Sequence, residues 1–445
     1  MTGSHRAPRG GRAAAREARR RRARRRNRLL GAGAALLVLV GGGGYVALAA
    51  TSGGGGSPGS AKSSAADDKS SAADSTVLAD TKALLDGATA KPLAPAGTWT
   101  IASTADGSSA SDHSFVCQPQ RFADPAGIRT WVRNFRNATT KDTAVQFVEV
   151  SNDSTAANKA YSTVIGWLGQ CSTPQVRLVA SYATTGLGER GVVAVFGQPT
   201  SNSTNKYRTV SVTTAGPATM VLEYDTAGGT PPTTAGILAT ASAGLQRICA
   251  QTGTSCGKNP AATPSLLPTT EPAGFMAPID LPVLSSVSKP WVSVASGTRT
   301  GTGCEKIDLK KAKATKYKFQ TYVVPDAPVP TEFGMDTMVA QFGSSASATS
   351  FATGIRKNVD GCAKTNSTAT VKKAGTVSLS TIKGQTWQVT YDTGGGKSAT
   401  FRIGVAASGK QAVYILYPVL KNLDISDSAF GEILNRAAER SAAFK

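Results

Sequence analysis

Apolar and polar positions divide the chain into unlike stretches. Residues 29–50 form an uncharged run of 22 positions. As a helix rising about 1.5 Å per residue, it is long enough to cross a hydrocarbon layer of about 30 Å. Four consecutive glycines, Gly41 to Gly44, lower its hydrophobicity and helix propensity. Residues 51–80 are a Gly/Ser/Ala stalk with almost no large side chain. Such a segment cannot offset its ordering entropy by burial and is expected to be flexible. From residue 81 onward, alternating apolar runs bounded by turn residues predict strands and hairpins, interrupted by Ala-rich stretches that read as helices.

Two blocks, 81–256 and 290–445, read as diverged copies of one domain joined by a Pro/Thr-rich linker at 257–289. Each begins near a Trp (Trp99, Trp291) and then has a Cys (Cys117, Cys304). A strand-like segment ending in Gln-Phe follows, at Gln146-Phe147 and Gln341-Phe342. An Ala/Ser helix comes next, at 154–170 and 345–361, and leads to a second Cys, Cys171 or Cys362. Residues 206–224 and 400–418 each predict a hairpin, and a helix closes each block at 235–248 and 430–444.

Charge adds an orientation. The formal net charge is +21, yet residues 1–28 hold twelve Arg against one acid, Glu17, so the tail alone supplies +11. An Arg-rich tail before an apolar run stays in the cytoplasm, and the bulk is exported. The tail serves topology, or binds anionic lipid headgroups at about 1 kcal/mol per basic residue. It lacks the interleaved aromatics of a nucleic-acid binder, so no nucleic-acid partner is expected. The rival reading is a cleaved signal peptide with Ala47-Leu48-Ala49 as its cleavage site. No Cys follows the apolar run, which excludes a lipoprotein anchor.

The cysteines Cys117, Cys171, Cys249, Cys256, Cys304 and Cys362 all follow that run, as expected for disulfides in an oxidising compartment. The repeat suggests Cys117–Cys171 and Cys304–Cys362 as equivalent pairs. Each would close a loop that stabilises by roughly 4 kcal/mol in the chain-entropy model. Cys249 and Cys256 are left to pair with each other, stapling the end of the first block's last helix. Other connectivities stay open at the level of sequence. No CxxC occurs and the only histidines are His5 and His113, so neither a metal site nor a cofactor is expected.

Motifs that resemble chemistry read better as structure. Gly186-Leu-Gly188-Glu-Arg-Gly191 matches GxGxxG, but strand-like residues flank it on both sides, where a nucleotide site needs a helix. Asp392 to Ser398 resembles half a P-loop, yet Tyr391 stands where the first glycine belongs; both stretches predict turns between strands. His113 is the only exported histidine and no GxSxG surrounds a serine, which removes a serine hydrolase. Asp124, Glu149, Glu189 and Glu223 could converge as a glycosidase pair, but nothing in the sequence selects two. Trp99 and Trp291 recur and should be core. Trp131, beside Arg129, Arg133 and Arg136, is the best candidate for an exposed site among the five tryptophans (the others are Trp167 and Trp387). Asn137, Asn152, Asn202 and Asn366 begin N-x-S/T sequons.

The order Trp, Cys, Gln-Phe strand, helix ending Trp167-Leu-Gly-Gln-Cys171, hairpin and terminal helix resembles the extracellular sensor domain of PknH-type actinobacterial receptor kinases. The likeness covers about 81–250 and, more loosely, 290–445. It implies an α+β fold in which an antiparallel sheet packs with helices, tied by disulfides and carrying a ligand cleft. The chain departs from the family in having no kinase domain and two copies, and the second copy lacks the Trp before Cys362. The expectation is therefore two tandem disulfide-tied α+β domains after one transmembrane helix. The protein would be a single-pass plasma-membrane protein, ligand-binding or sensor-like, of the bacterial cell envelope, and not an enzyme. Its partner would be a cell-wall or lipid ligand. A scaffold tethering an envelope protein is the alternative, and a carboxylate-dependent hydrolase comes last.

Fractionation of the native host checks the anchor. The Arg-rich N-terminus should be retained on the mature protein in the membrane fraction; a mature N-terminus at Ala50 would instead establish signal-peptide cleavage.

Overall fold

Turn chemistry sets the strand boundaries. In this computed structural model the described residues are 80–445, apart from 108–113, 201–203, 285, 298–300, 326, 332 and 380–381. The Arg-rich tail, the uncharged run and the stalk before Asp80 lie outside them, as do His113 and Asn202. Among the described residues no helix is long and apolar enough to cross a membrane. The GxGxxG stretch joins two antiparallel strands, β4 (Arg177–Thr185) and β5 (Arg190–Pro199). Gly188 sits there at φ +67°, where a Cβ would stand 2.3 Å from the Thr214 carbonyl oxygen. The half-P-loop is the turn between β13 (Ile382–Gly394) and β14 (Lys397–Ser408), made by three glycines of positive φ, Gly394 to Gly396.

The remaining elements of the first copy are β1 (Trp99–Asp106), β2 (Arg129–Asn137), β3 (Thr143–Val150), α1 (Ser154–Gly169), β6 (Asn205–Ala215), β7 (Ala218–Gly228) and α2 (Thr234–Thr252). After β8 (Ala261–Pro264), the second copy adds β9 (Val292–Ala295), β10 (Lys316–Val323), β11 (Met335–Gln341), α3 (Ser345–Asp360), β12 (Ala369–Leu379), β15 (Gln411–Val419) and α4 (Asp427–Ser441). The class is α+β, with two antiparallel sheets. One runs β1-β2-β3-β7-β6-β5-β4-β8, the other β9-β10-β11-β15-β14-β13-β12 when read from β9. Apart from β8, which comes from the connection and pairs with β4, the two orders are identical.

Each sheet is covered on both faces, which gives four cores. In the first copy α1, with Tyr161, Val164, Ile165 and Leu168, covers one face; α2 and the segment around Leu84, Leu85 and Leu93 cover the other. In the second, α3 and α4 do the same. Hairpin register aligns the copies. Val150 pairs with Ala218, the first strand residue after the β6–β7 turn, and Gln341 pairs with Gln411, the first after the β14–β15 turn. Gln341-Phe342 therefore corresponds to Val150-Ser151, and the shared Gln-Phe motif is a coincidence displaced by four positions.

Residues 265–291 run as a packed strap. Ala277 and Ile279 enter the α1-side core of the first copy, while Phe275, Met276, Leu281, Leu284 and Val287 enter the α4-side core of the second. One ion pair pins the strap. Asp280, whose side chain is fully buried, accepts from Arg440 Nε, from Arg440 Nη2 at 3.1 Å and from the Ala277 amide at 2.8 Å. Arg440 Nη1 donates to the Leu267 carbonyl at 3.2 Å. The first copy has the same device: Arg247 of α2 holds Asp86 at 2.5 Å and the Leu84 carbonyl at 2.8 Å. The strap is thus the second copy's version of the segment before β1.

Burial grades the two latches. Arg440→Ala should lower unfolding free energy by about 3 kcal/mol, because it removes both guanidinium hydrogen bonds from a fully buried carboxylate and leaves it only the Ala277 amide and Arg436 Nε at 3.9 Å. Arg247→Ala, at a pair one-third to one-half exposed, should lower it by roughly 1–2 kcal/mol. Urea unfolding of the two variants against the parent checks the order.

Candidate functional site

Helix α4 presents two faces. Phe430, Ile433, Leu434, Ala437 and Ala438 are buried against the second sheet. Glu432, Asn435, Arg436 and Glu439 fall at i, i+3, i+4 and i+7, so helical spacing gathers them on the opposite side. That side meets β4 of the first copy. Arg177 reaches Glu432 at 3.2 Å, and Arg436 Nη2 donates to the Val179 carbonyl at 3.2 Å. A register shift between Leu178 and Ala180 takes Val179 out of the β4–β5 ladder and leaves its carbonyl for Arg436. Between these contacts lies a cleft of about 700 Å³, walled by residues of both copies that include Tyr182, Asn205, Gly229, Asn435 and Arg436. Its size falls within the range of small-molecule sites, about 300–1,000 Å³. Aromatic rings, amides and charges of both signs line it, which equips it for a polar, uncharged or zwitterionic ligand.

Disulfides join Cys117–Cys171, Cys249–Cys256 and Cys304–Cys362. The first ties the loop before β2 to the end of α1, and two buried carboxylates on the sheet hold the same loop. Glu223 of β7 accepts the Val116 amide at 2.6 Å, and Glu149 of β3 accepts the Ala123 amide at 3.0 Å. Burial pushes Glu149 up to about 7, partly offset by the amides it accepts. Burial and the neighbouring Asp225 push Glu223 up to about 8.

Of the four acids singled out in the sequence, Asp124 and Glu149 are brought together, since Glu149 also accepts the Asp124 amide at 3.4 Å. Glu189 instead closes the β6–β7 turn by accepting the Gly216 amide at 3.0 Å. Glu223 has Asp225 as its carboxylate neighbour, a partner that no spacing rule singled out, although alternate positions on a strand share one face. Trp99 and Trp291 are both buried core residues. Trp131 is half-buried against the α2-side core. Its neighbour Arg133 is buried, donating to Thr104 at 2.9 Å and to the Leu85 carbonyl at 2.7 Å, so the Trp131–Arg cluster is no open basic patch. Asn137 is fully buried and its Oδ1 accepts the Thr139 amide, which removes it as a surface sequon. The seam residues were missed. The α4 polar stripe was readable from its spacing, but nothing local says what it faces.

No family model matches the chain, and no curated protein does. Among solved structures, the acyl-CoA thioesterase II TesB2 from Mycobacterium marinum is similar at 12% identity, over 62% of this chain and 93% of that one, with a TM-score of 0.12. A likeness that slight carries no argument. Among the described residues, no three or more of His, Cys, Asp and Glu converge to hold a metal.

The two raised carboxylates give stability a pH dependence of known sign. The folded chain holds their protons more tightly than the unfolded chain, so their contribution is complete below the ordinary carboxylate range. It is lost as pH rises through about 7 and 8. Unfolding free energy should therefore fall between about pH 5 and pH 8. Glu149→Gln, which keeps an acceptor for the Ala123 amide, should flatten the lower part of that slope in a pH series of urea melts.

Proposed function

We propose that this chain is a membrane-anchored, exported ligand-binding protein of sensor-like type, with the seam between its tandem sheets as the binding site. The observation that carries the reading is the cleft of about 700 Å³ lined from both copies. A ligand seated there would touch β4 and α4 together, so binding would couple to the angle between the sheets, which suits a sensing role. The uncharged run at 29–50 and the six cysteines after it support export and anchoring. The proposed ligand is a cell-wall fragment or an envelope lipid, and no reaction is assigned. A second reading, a scaffold that tethers an envelope protein, draws on the β9–β10 edge. There Val292, Val294 and Tyr317 are the large exposed apolar side chains of a short edge strand and its neighbour.

A cleft-filling variant separates the two. Gly229 lines the cleft, and a Cβ built on it meets nothing within 4 Å. Gly229→Trp should keep the melting temperature of the parent and abolish the thermal stabilisation given by an extract of host envelope. Stabilisation that survives in the variant, or is absent from the parent, would count against the seam.

A further inference from the structure

The duplication supplies an internal control for which buried groups the fold needs. In the first copy, Lys206 and Arg208 of β6 stand beside Glu223 and Asp225 of β7 on the α1 side of the sheet. Register places Arg208 opposite Asp225 and Val210 opposite Glu223. The corresponding pairs in the second copy are Phe401–Pro418 and Ile403–Leu416. The same strands thus form the same ladder without any of these charges. The second copy retains only the loop-holding carboxylate, moved into the loop itself. Glu305, next to Cys304, accepts the Thr302 amide at 2.9 Å and the Tyr414 hydroxyl at 2.5 Å. Trp167, four residues before Cys171, also has no counterpart, since Asn358 stands four residues before Cys362.

Of the groups that the first copy alone keeps, Trp167 and Arg208 wall a cleft of about 610 Å³ whose lining also includes Phe115, Thr173 and Glu223. Arg208 is not committed to its neighbours. It approaches Glu223 at 3.9 Å and Asp225 at 4.0 Å, and its buried Nε has no hydrogen-bond partner among the described residues. A network built for stability would close that bond, because a buried N–H left without a partner is costly. Asp225 is engaged by Lys206 at 2.7 Å, which leaves Arg208 as the cation facing the cleft beside Glu223.

We infer that this cleft binds a sugar ring, with Trp167 as the apolar platform and Arg208 and Glu223 as the polar wall. An indole offers a flat apolar surface to the C–H face of a pyranose. A guanidinium beside a carboxyl offers the donor and acceptor that adjacent hydroxyls need. The site is separate from the seam cleft, shares none of its lining residues, and stands or falls apart from it.

The test uses the full chain in detergent, titrated with chitotriose, maltotriose and mannotriose by saturation-transfer NMR and calorimetry. At least one trisaccharide should bind. Trp167→Leu and Arg208→Phe, the latter copying the second domain, should each weaken it roughly ten-fold, about 1.4 kcal/mol. Both variants should keep the parent's melting temperature, and Gly229→Trp should bind as the parent does. If Arg208→Phe does not fold, Trp167→Leu decides alone. No binding of any trisaccharide at about 10 mM, well beyond a millimolar dissociation constant, would overturn the inference. So would binding that both variants retain, or binding that inositol hexaphosphate displaces, which would mark an anion site.

Discussion

The pairing of Asp280 with Arg440 is the contact on which the arrangement of the described residues turns. A carboxylate and a guanidinium, both withdrawn from water, are tolerable because they bond each other and the Ala277 amide and Leu267 carbonyl take up their remaining bonds. The same pair, in the form of Asp86 and Arg247, closes the first copy, where it only fastens a terminal segment to the last helix. In the second copy the fastened segment is also the chain arriving from the first. A device that seals one domain thereby sets the position of two, and the apolar residues of the strap, alternating between two cores, complete the joint. Arg436, one turn earlier on the same helix, extends the joint to Val179 of the first sheet.

Duplication followed by divergence explains the uneven chemistry. The two sheets have the same strand order, the same flanking helices and equivalent disulfides, so their common features report what the fold requires. A carboxylate that accepts amides of the Cys-bearing loop belongs to that set, although it comes from β7 in one copy and from the loop in the other. The Lys206–Arg208–Asp225 group and Trp167 belong to one copy alone. Burying charge is unfavourable, and retention of this group beside a cleft is best accounted for by a ligand.

Much of the fold was legible along the chain. Glycine-rich turns between alternating runs marked the hairpins, because only glycine enters those φ values without strain. Two helices per block were readable from Ala-rich spacing, and matched Cys positions suggested the disulfide partners that the structure then joined. The Gln-Phe landmark failed, since a dipeptide carries no register, whereas the backbone ladder does. The strap was read as a linker because Pro and Thr dominate its composition. A sharper signal was present in an apolar pair with Asp placed 13 residues before Trp99 and 11 before Trp291.

The sequence by itself determined the secondary elements, their duplication and the matched Cys positions, because periodicity, turn chemistry and matched spacing are local or repeated patterns; the structure closed the Cys pairs. Tertiary structure alone decided which charges became walls of a cleft and which became latches. Arg133, Arg208, Arg247 and Arg440 look alike on the chain. One is sunk against Leu85, one faces a cleft and two hold aspartates, since a side chain's environment depends on residues up to 173 positions away.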